Sequence, residues 1–429
     1  MDAGWTIASS ETPCAPRWAA RLALWLATVA VLTSSAGRSA ADPSASIEVH
    51  DRAGLLAAAA RATPGTRIAL RAGYYGGGVT LTGLAGTAEQ PIEIHAADAD
   101  KPPVFDGGTS GLHLVDPVHV IVSGLHIRNA SGNGINVDDG GTPETPARDV
   151  VLRDLVVKDI GSDGNCDGIK LSGVDGFVVE RCTVERWGRS GSAVDMVGCQ
   201  HGVITRCRFR HAPGLERGSG VQMKGGTRTT WVGRNHFVHA GARAINAGGS
   251  TGLDYFRPPL SRWTGDRFEA QELTIIGNVI VGSEASIAFV GVDGALCAFN
   301  TLLHPGRWAL RILQENTTEG FVPCRNVDVR GNLIVFDSQT WREGGVNVGE
   351  GTAPTTFTFA GNHWFAHDAP QRTHLFIRTP TKDEAAQYGA DPQLVDPQYG
   401  EDGVRPGSPA EGVGAHAFRE ATPDASLGR

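Results

Sequence analysis

The chain has 429 residues, with 38 Lys and Arg against 46 Asp and Glu, for a formal net charge of −8. That balance argues against nucleic-acid binding by bulk electrostatics, so any anionic ligand must meet a local cluster of cations. The 57 Gly and 23 Pro fit a turn-rich chain.

Residues 1–41 read as an export signal. Arg17 and Arg21 precede the apolar run Leu22–Leu32, and Ser39, Ala40 and Ala41 supply small residues before Asp42. The run is too short to span a membrane, and no later stretch is long enough. The expected location is secreted or periplasmic, with no membrane span. Beyond this segment lie Cys166, Cys182, Cys199, Cys207, Cys297 and Cys324. Cys182 and Cys207 stand one repeat apart, a spacing that permits a disulfide in an oxidising compartment. Two stacked, buried thiols fit the same positions.

Residues 42–107 read as an N-terminal cap and first coils. Asp51 is placed to cap a short helix running to Arg61, with Leu55, Leu56 and Ala58–Ala60 as its apolar face. Such a helix would close the open end of a solenoid.

Residues 108–365 carry a repeat. Gly168-Ile169-Lys170-Leu171, Ala193-Val194-Asp195-Met196, Gly220-Val221-Gln222-Met223 and Ala244-Ile245-Asn246-Ala247 share one pattern: small, apolar, polar, apolar. The polar member advances by 25, 27 and 24 residues. Asn136 upstream, and Ala288, Arg311 and Asn347 downstream, fall in the same register. A second column runs in phase through Asp154, Cys182, Cys207, Asn235, Asn278, Asn300, Asn332 and Asn362. Period-two strands recurring at this spacing predict one all-β domain, a single-stranded right-handed parallel β-helix. Stacked Asn side chains should bond the backbone of the neighbouring coil. One step, Asn246 to Ala288, is 42 residues, and the excess forms a loop over Gly248–Ala270. Residues 366–429 form a C-terminal tail, expected to be disordered from 418.

Alternation buries Ile169, Leu171, Val194, Met196, Val221 and Met223 and turns the polar members outward. Lys170, Asp195, Gln222, Lys224 and Asn246 should then share one patch, with Asp163 and Asp167 on one side and Arg243 and the long loop on the other. Only five Lys occur in the chain, and Lys170 and Lys224 are two of them. Lysine can lose its proton where arginine effectively cannot, so a site that needs a titratable amine requires lysine.

The early segments Pro64-Gly65-Thr66-Arg67-Ile68-Ala69-Leu70, Gly73-Tyr74 and Gly86-Thr87-Ala88-Glu89-Gln90-Pro91-Ile92-Glu93-Ile94 resemble the secreted β-helical polysaccharide lyases. The likeness is strongest to chondroitinase-B-like and alginate lyases. Asp167-Gly168, then Asp195, then Lys224 on successive coils resembles the layout of family-nine pectate lyases, with calcium-binding Asp residues below a catalytic Lys. Val221-Gln222-Met223-Lys224-Gly225 resembles the Lys strand of the chondroitinase-B-like enzymes. Those carry Arg-His on the next coil, where this chain has Ala247-Gly248-Gly249, so Arg243 or Arg257 would have to substitute.

The resemblance implies a monomeric lyase that cleaves an acidic, uronate-containing polysaccharide by β-elimination. Lys224 is the expected base, with Lys170 as runner-up, Tyr255 as proton donor and Arg243 beside Lys224. Gln222, Asn246, Arg257 and Arg311 are the expected substrate-binding residues. Asp163, Asp167 and Asp195 are the expected ligands for calcium. A glycoside hydrolase using the same carboxylates, a uronate epimerase, and a non-catalytic carbohydrate-binding or adhesive β-helix are the alternatives.

Overall fold

The computed structural model describes residues 46–421, apart from 162, 216, 397, 401 and 402. The export segment expected at 1–41 lies outside them, as do residues 422–429. Three long sheets carry the fold, of thirteen, eleven and ten strands. From Ile92–Ala96 to Val346–Val348 each coil gives one strand to each sheet, and every ladder between named strands is parallel, for example Ile169–Ser172 between Asn133–Asp138 and Ser192–Val197. Pairing begins at Ser46–Val49 with Arg67–Leu70 and extends past residue 365 to Asp383–Glu384 and Gln387–Tyr388.

The polar register is kept throughout. Asn136, Lys170, Asp195, Gln222, Asn246, Ala288, Arg311 and Asn347 are successive partners on the ten-stranded sheet. His113 precedes Asn136 in the same column. The intervening Ile169, Leu171, Val194, Met196, Val221 and Met223 are no more than 1% exposed. This inward face joins those of the other sheets in one continuous apolar core.

The asparagine column forms a buried ladder at a corner between sheets. Asn300 Oδ1 accepts from both the backbone N–H of Asn278 (3.1 Å) and its Nδ2 (3.0 Å), while Asn300 Nδ2 donates to Ile275 O (3.0 Å). Asn235, Asn332 and Asn362 repeat the arrangement, and Asn235 Oδ1 accepts from the N–H of Cys207. Cys182 and Cys207 take the same place on earlier coils as thiols. All six cysteines among the described residues are free. Burial holds the Cys207 thiol well above its ordinary pKa.

The short helix expected near the start is Arg52–Ala59, and the Asp51 carboxylate accepts from the N–H of Gly54 at 2.7 Å. It stops two residues before Arg61, and its buried face is Leu55, Ala58 and Ala59, whereas Leu56 is exposed. The tail also departs from expectation, because the chain is helical over Gly414–Ala421 and Phe418 is buried. The cause lies in the eleven-stranded sheet. Val279, Val281, Leu333 and Val335 form an apolar cluster there with Ala410 and Ala415 of the returning chain.

Candidate functional site

The middle of the ten-stranded sheet gathers four ionisable side chains. Lys170 Nζ contacts Asp195 Oδ2 and lies 3.6 Å from Asp167 Oδ2. Lys224 Nζ lies 3.2 Å from Asp195 Oδ1. Both lysine side chains are partly open to solvent, at 19% and 16%, while Asp167 and Asp195 are 2% and 1% exposed. The acids thus form a floor and the ammonium groups the surface above it. This follows from strand pairing, which sets Lys170 beside Asp195 and puts Lys224, two residues beyond Gln222, beside Val197.

Burial pushes the Asp167 carboxyl up to about 6, helped by the neighbouring Asp195 and opposed by Lys170 and the Ser192 N–H. Burial works to lower the pKa of Lys170, but Asp195 and Asp167 outweigh it and hold it above the ordinary lysine value. Lys170 is therefore a fixed cation. Asp195 Oδ1 accepts no hydrogen bond despite its burial, and its partner is the Lys224 charge alone.

Gln222 belongs to the same surface, where its Oε1 accepts from Ser192 Oγ at 3.3 Å. Asn246 does not. It is 4% exposed, and its Oδ1 accepts from Arg243 Nη1 at 3.2 Å. Arg243 itself is not beside Lys224. It pairs with Ser219, five residues earlier on the Lys224 strand, roughly 16 Å away along the strand direction. It also donates from Nη2 to Glu315 Oε1 at 2.7 Å. Arg311 lies over the Trp308 ring at 4.5 Å and donates from Nε to Asn347 Oδ1 at 2.9 Å. Burial, then repulsion from Arg243, lowers its pKa, which puts these two guanidinium groups in one electrostatic neighbourhood.

The long loop takes an unexpected course. Gly249 lies against Lys224 and Gln222, where an added Cβ would approach Lys224 Cβ to 3.2 Å. Beyond it the chain folds back over the corners of earlier coils. Gly198 (φ +60) sits under the Arg257 backbone, where an added Cβ would meet Arg257 Cβ at 2.3 Å. Arg257 then reaches the fully buried Asp139, with Nη1 2.8 Å from Oδ1, and Arg262 pairs with Glu144. Arg257 is a clamp and leaves the Lys patch. A buried carboxylate without a partner costs several kcal/mol, which is why the guanidinium is drawn there. Tyr255, in the turn Leu253–Tyr255, is 72% exposed.

Sequence reasoning missed Glu269, which anchors this loop from a fully buried position. Its carboxylate accepts from the Gly225 N–H (3.1 Å), the Thr251 N–H (2.9 Å) and Oγ1 (2.7 Å), and Asn316 Nδ2 (3.3 Å). It also missed His113, whose Nε2 lies 2.6 Å from Asp138 Oδ2. Gly111-Leu112-His113-Leu114 has the same small, apolar, polar, apolar pattern as the later copies, so that signal was present.

Asp163, Asp167 and Asp195, the expected calcium ligands, are not gathered around one point. Asp167 and Asp195 both face Lys170 Nζ, so an ammonium group lies where a shared cation would sit. Asp163 is exposed and lines a different cavity. Among the described residues no group of three or more His, Cys, Asp or Glu is placed to hold a metal.

Among solved structures, an alginate lyase from Paenibacillus sp. str. FPU-7 matches with a TM-score of 0.51 at 18% identity, over 72% of this chain and 99% of that one. The chain is a right-handed parallel β-helix. Other matches to this β-helix are pectate lyase Pel9A (15% identity, 70% and 73% coverage, TM-score 0.40) and a family 28 exopolygalacturonase from Yersinia enterocolitica (10%, 73% and 71%, 0.42). At these identities the likeness is one of fold. No protein-family model and no curated protein matches the chain. No helix among the described residues of the β-helix is long and apolar enough to cross a membrane.

Proposed function

We propose that the protein is a secreted polysaccharide lyase that cleaves an acidic, uronate-containing polymer by β-elimination. The observation that carries this reading is the pair Lys170 and Lys224, two partly exposed amines bridged by one buried carboxylate, Asp195. The Paenibacillus alginate lyase shares the scaffold. A hydrolase needs a carboxylic acid within reach of the glycosidic oxygen, and the two acids at this site lie beneath the lysines.

The roles follow from the charges. The proton at C5 of a uronate becomes abstractable when the adjacent carboxylate is neutralised. Lys170, held as a cation, supplies that charge, and Gln222 supplies a hydrogen bond. Lys224, acting through its unprotonated amine, takes the C5 proton. The C4–O bond then breaks, the electron pair of the C5–H bond becomes the C4–C5 double bond, and the leaving oxygen takes a proton from Tyr255. A uronate epimerase would share the first step and leave the chain intact.

The test is incubation of the purified protein with alginate, pectate, chondroitin and dermatan, followed by ultraviolet absorbance of the unsaturated product. Absorbance should rise with at least one polymer and not with neutral glucans. Reducing ends formed without absorbance would instead establish a hydrolase.

A further inference from the structure

The outward column of the ten-stranded sheet is open at one end and covered at the other. Thr80, His113, Asn136 and Lys170 are successive partners on it, and each reaches solvent. Beyond Gln222 the column is closed over, with Asn246 4% and Ala288 0% exposed. The cover is an ion pair. Arg243 reaches along its strand to Asn246 and on to Glu315, which follows the strand Trp308–Leu313, so the pair crosses the intervening strand Ala285–Val290. Along the far ends of the strands Arg257 passes over Gly198 and Gly173 to Asp139 and forms a wall. The free path along the sheet from the lysines therefore leads over Asn136 to His113.

One acid holds the side chains on that path. Asp138 Oδ2 accepts from Asn136 Nδ2 at 2.8 Å and from His113 Nε2 at 2.6 Å, and its Oδ1 accepts from the Gly140 N–H at 3.0 Å. A carboxylate only accepts, so both side chains turn a donor toward it and keep an acceptor, His113 Nδ1 and Asn136 Oδ1. Neither acceptor is buried, and neither has a partner among the described residues. On the thirteen-stranded sheet His201 makes a similar pair with Asp175 at 2.6 Å, but Asp175 accepts from no other described side chain.

We infer that His113 and Asn136 form a sugar subsite whose two acceptors take hydroxyl groups of a pyranose unit. They stand one and two coils, roughly 5 and 10 Å, from Lys170, where the carboxylate of the reacting unit is held. The lysines read charge and this pair reads the placement of hydroxyls, so it discriminates among sugars that carry the same carboxylate. The polymer rests on the uronate reading above, while the subsite rests on the open column and its two free acceptors.

The experiment uses the full chain carrying Lys224→Arg, so that the ligand is not consumed, with and without His113→Ala. Disaccharides and hexasaccharides of mannuronate, guluronate and galacturonate are titrated by calorimetry. A disaccharide held at the lysines stops short of His113, and a hexasaccharide passes it. The His113→Ala chain should bind the preferred hexasaccharide about tenfold more weakly and its disaccharide equally well. Hexasaccharide affinities within about twofold of each other, an equal loss at both lengths, or no binding of any acidic oligosaccharide by the parent overturn the subsite. A loss confined to the longer ligand, with no unsaturated product from any polymer, would sink the lyase reading alone. Unsaturated product formed with an unchanged KM when His113→Ala is made in the Lys224 chain would sink the subsite alone.

Discussion

Two columns of polar side chains climb this solenoid one coil at a time, and they end in opposite states. In the asparagine ladder every oxygen and every Nδ2 of Asn278, Asn300 and Asn332 has a partner, and all three residues are buried. In the column of Lys170, Asp195 and Gln222 the side chains differ in charge, the lysines reach solvent, and Asp195 Oδ1 accepts no hydrogen bond. The first column closes on itself and holds the coils together. The second holds charges at a surface and leaves one buried atom dependent on a single ammonium group. Completeness of hydrogen bonding thus separates a closed stack from one that stays open to solvent, although both follow the same period.

The contrast is broken most sharply at Lys224. Lys224→Arg keeps the charge facing Asp195 but not the titratable amine, so turnover should fall by roughly 10²–10⁴ while the denaturation midpoint stays near that of the parent. Near-normal turnover would make Lys224 a binding group only. Lys224→Ala should lose as much turnover and also some stability, because Asp195 then keeps one cation instead of two.

Asn300→Ala probes the other column. It strands the backbone N–H of Asn278 and the carbonyl of Ile275 and leaves Asn278 Nδ2 with Val232 O alone, all in a buried corner. The expected cost is about 3–5 kcal/mol, read from urea unfolding, with KM unchanged. A loss below about 1 kcal/mol, as at an ordinary surface site, would mean that the ladder is not what ties the coils.

Asp167 gives a smaller, pH-dependent effect. Its folded value of about 6 lies above the ordinary aspartate value of 3.8, so the folded chain binds more protons between those two values. Stability from this group is complete below the unfolded pKa and is lost as pH rises through about 6. The change is on the order of 3 kcal/mol. Thermal unfolding followed from acid to neutral pH should show that decline, and Asp167→Asn should flatten it. Exhaustive chelation should have the least effect, leaving both turnover and melting temperature unchanged. A loss of activity restored by calcium would show that the acids release Lys170 to bind a metal.

Much of this was legible in the sequence because it repeats. The register of Lys170, Asp195 and Gln222 and the Asn278–Asn300–Asn332 stack needed only period-two alternation and a count of residues per coil. Asp51 was legible as a cap because its role is local. The departures arise where long-range packing decides. Arg257 pairs with Asp139, 118 residues away, and no spacing rule links them. Arg243 was expected beside Lys224 because it is close in sequence to Asn246, but strand pairing carries it to the opposite end of the sheet's width. The tail helix over Gly414–Ala421 depends on the apolar flank it covers, which becomes continuous only after the coils have stacked.

A chain of coils touching only their neighbours can open one coil at a time, like a stack of plates. The loop that returns from Gly249 to Asp139 and Glu144 removes that freedom. Its Arg257 and Arg262 ion pairs bridge the coils bearing Asn136, Lys170, Asp195 and Gln222, so none of these can separate without breaking a distant ion pair as well. The patch is thereby bound into one cooperative unit, and amide exchange should report these four strands opening together, behind coils at either end that exchange on their own.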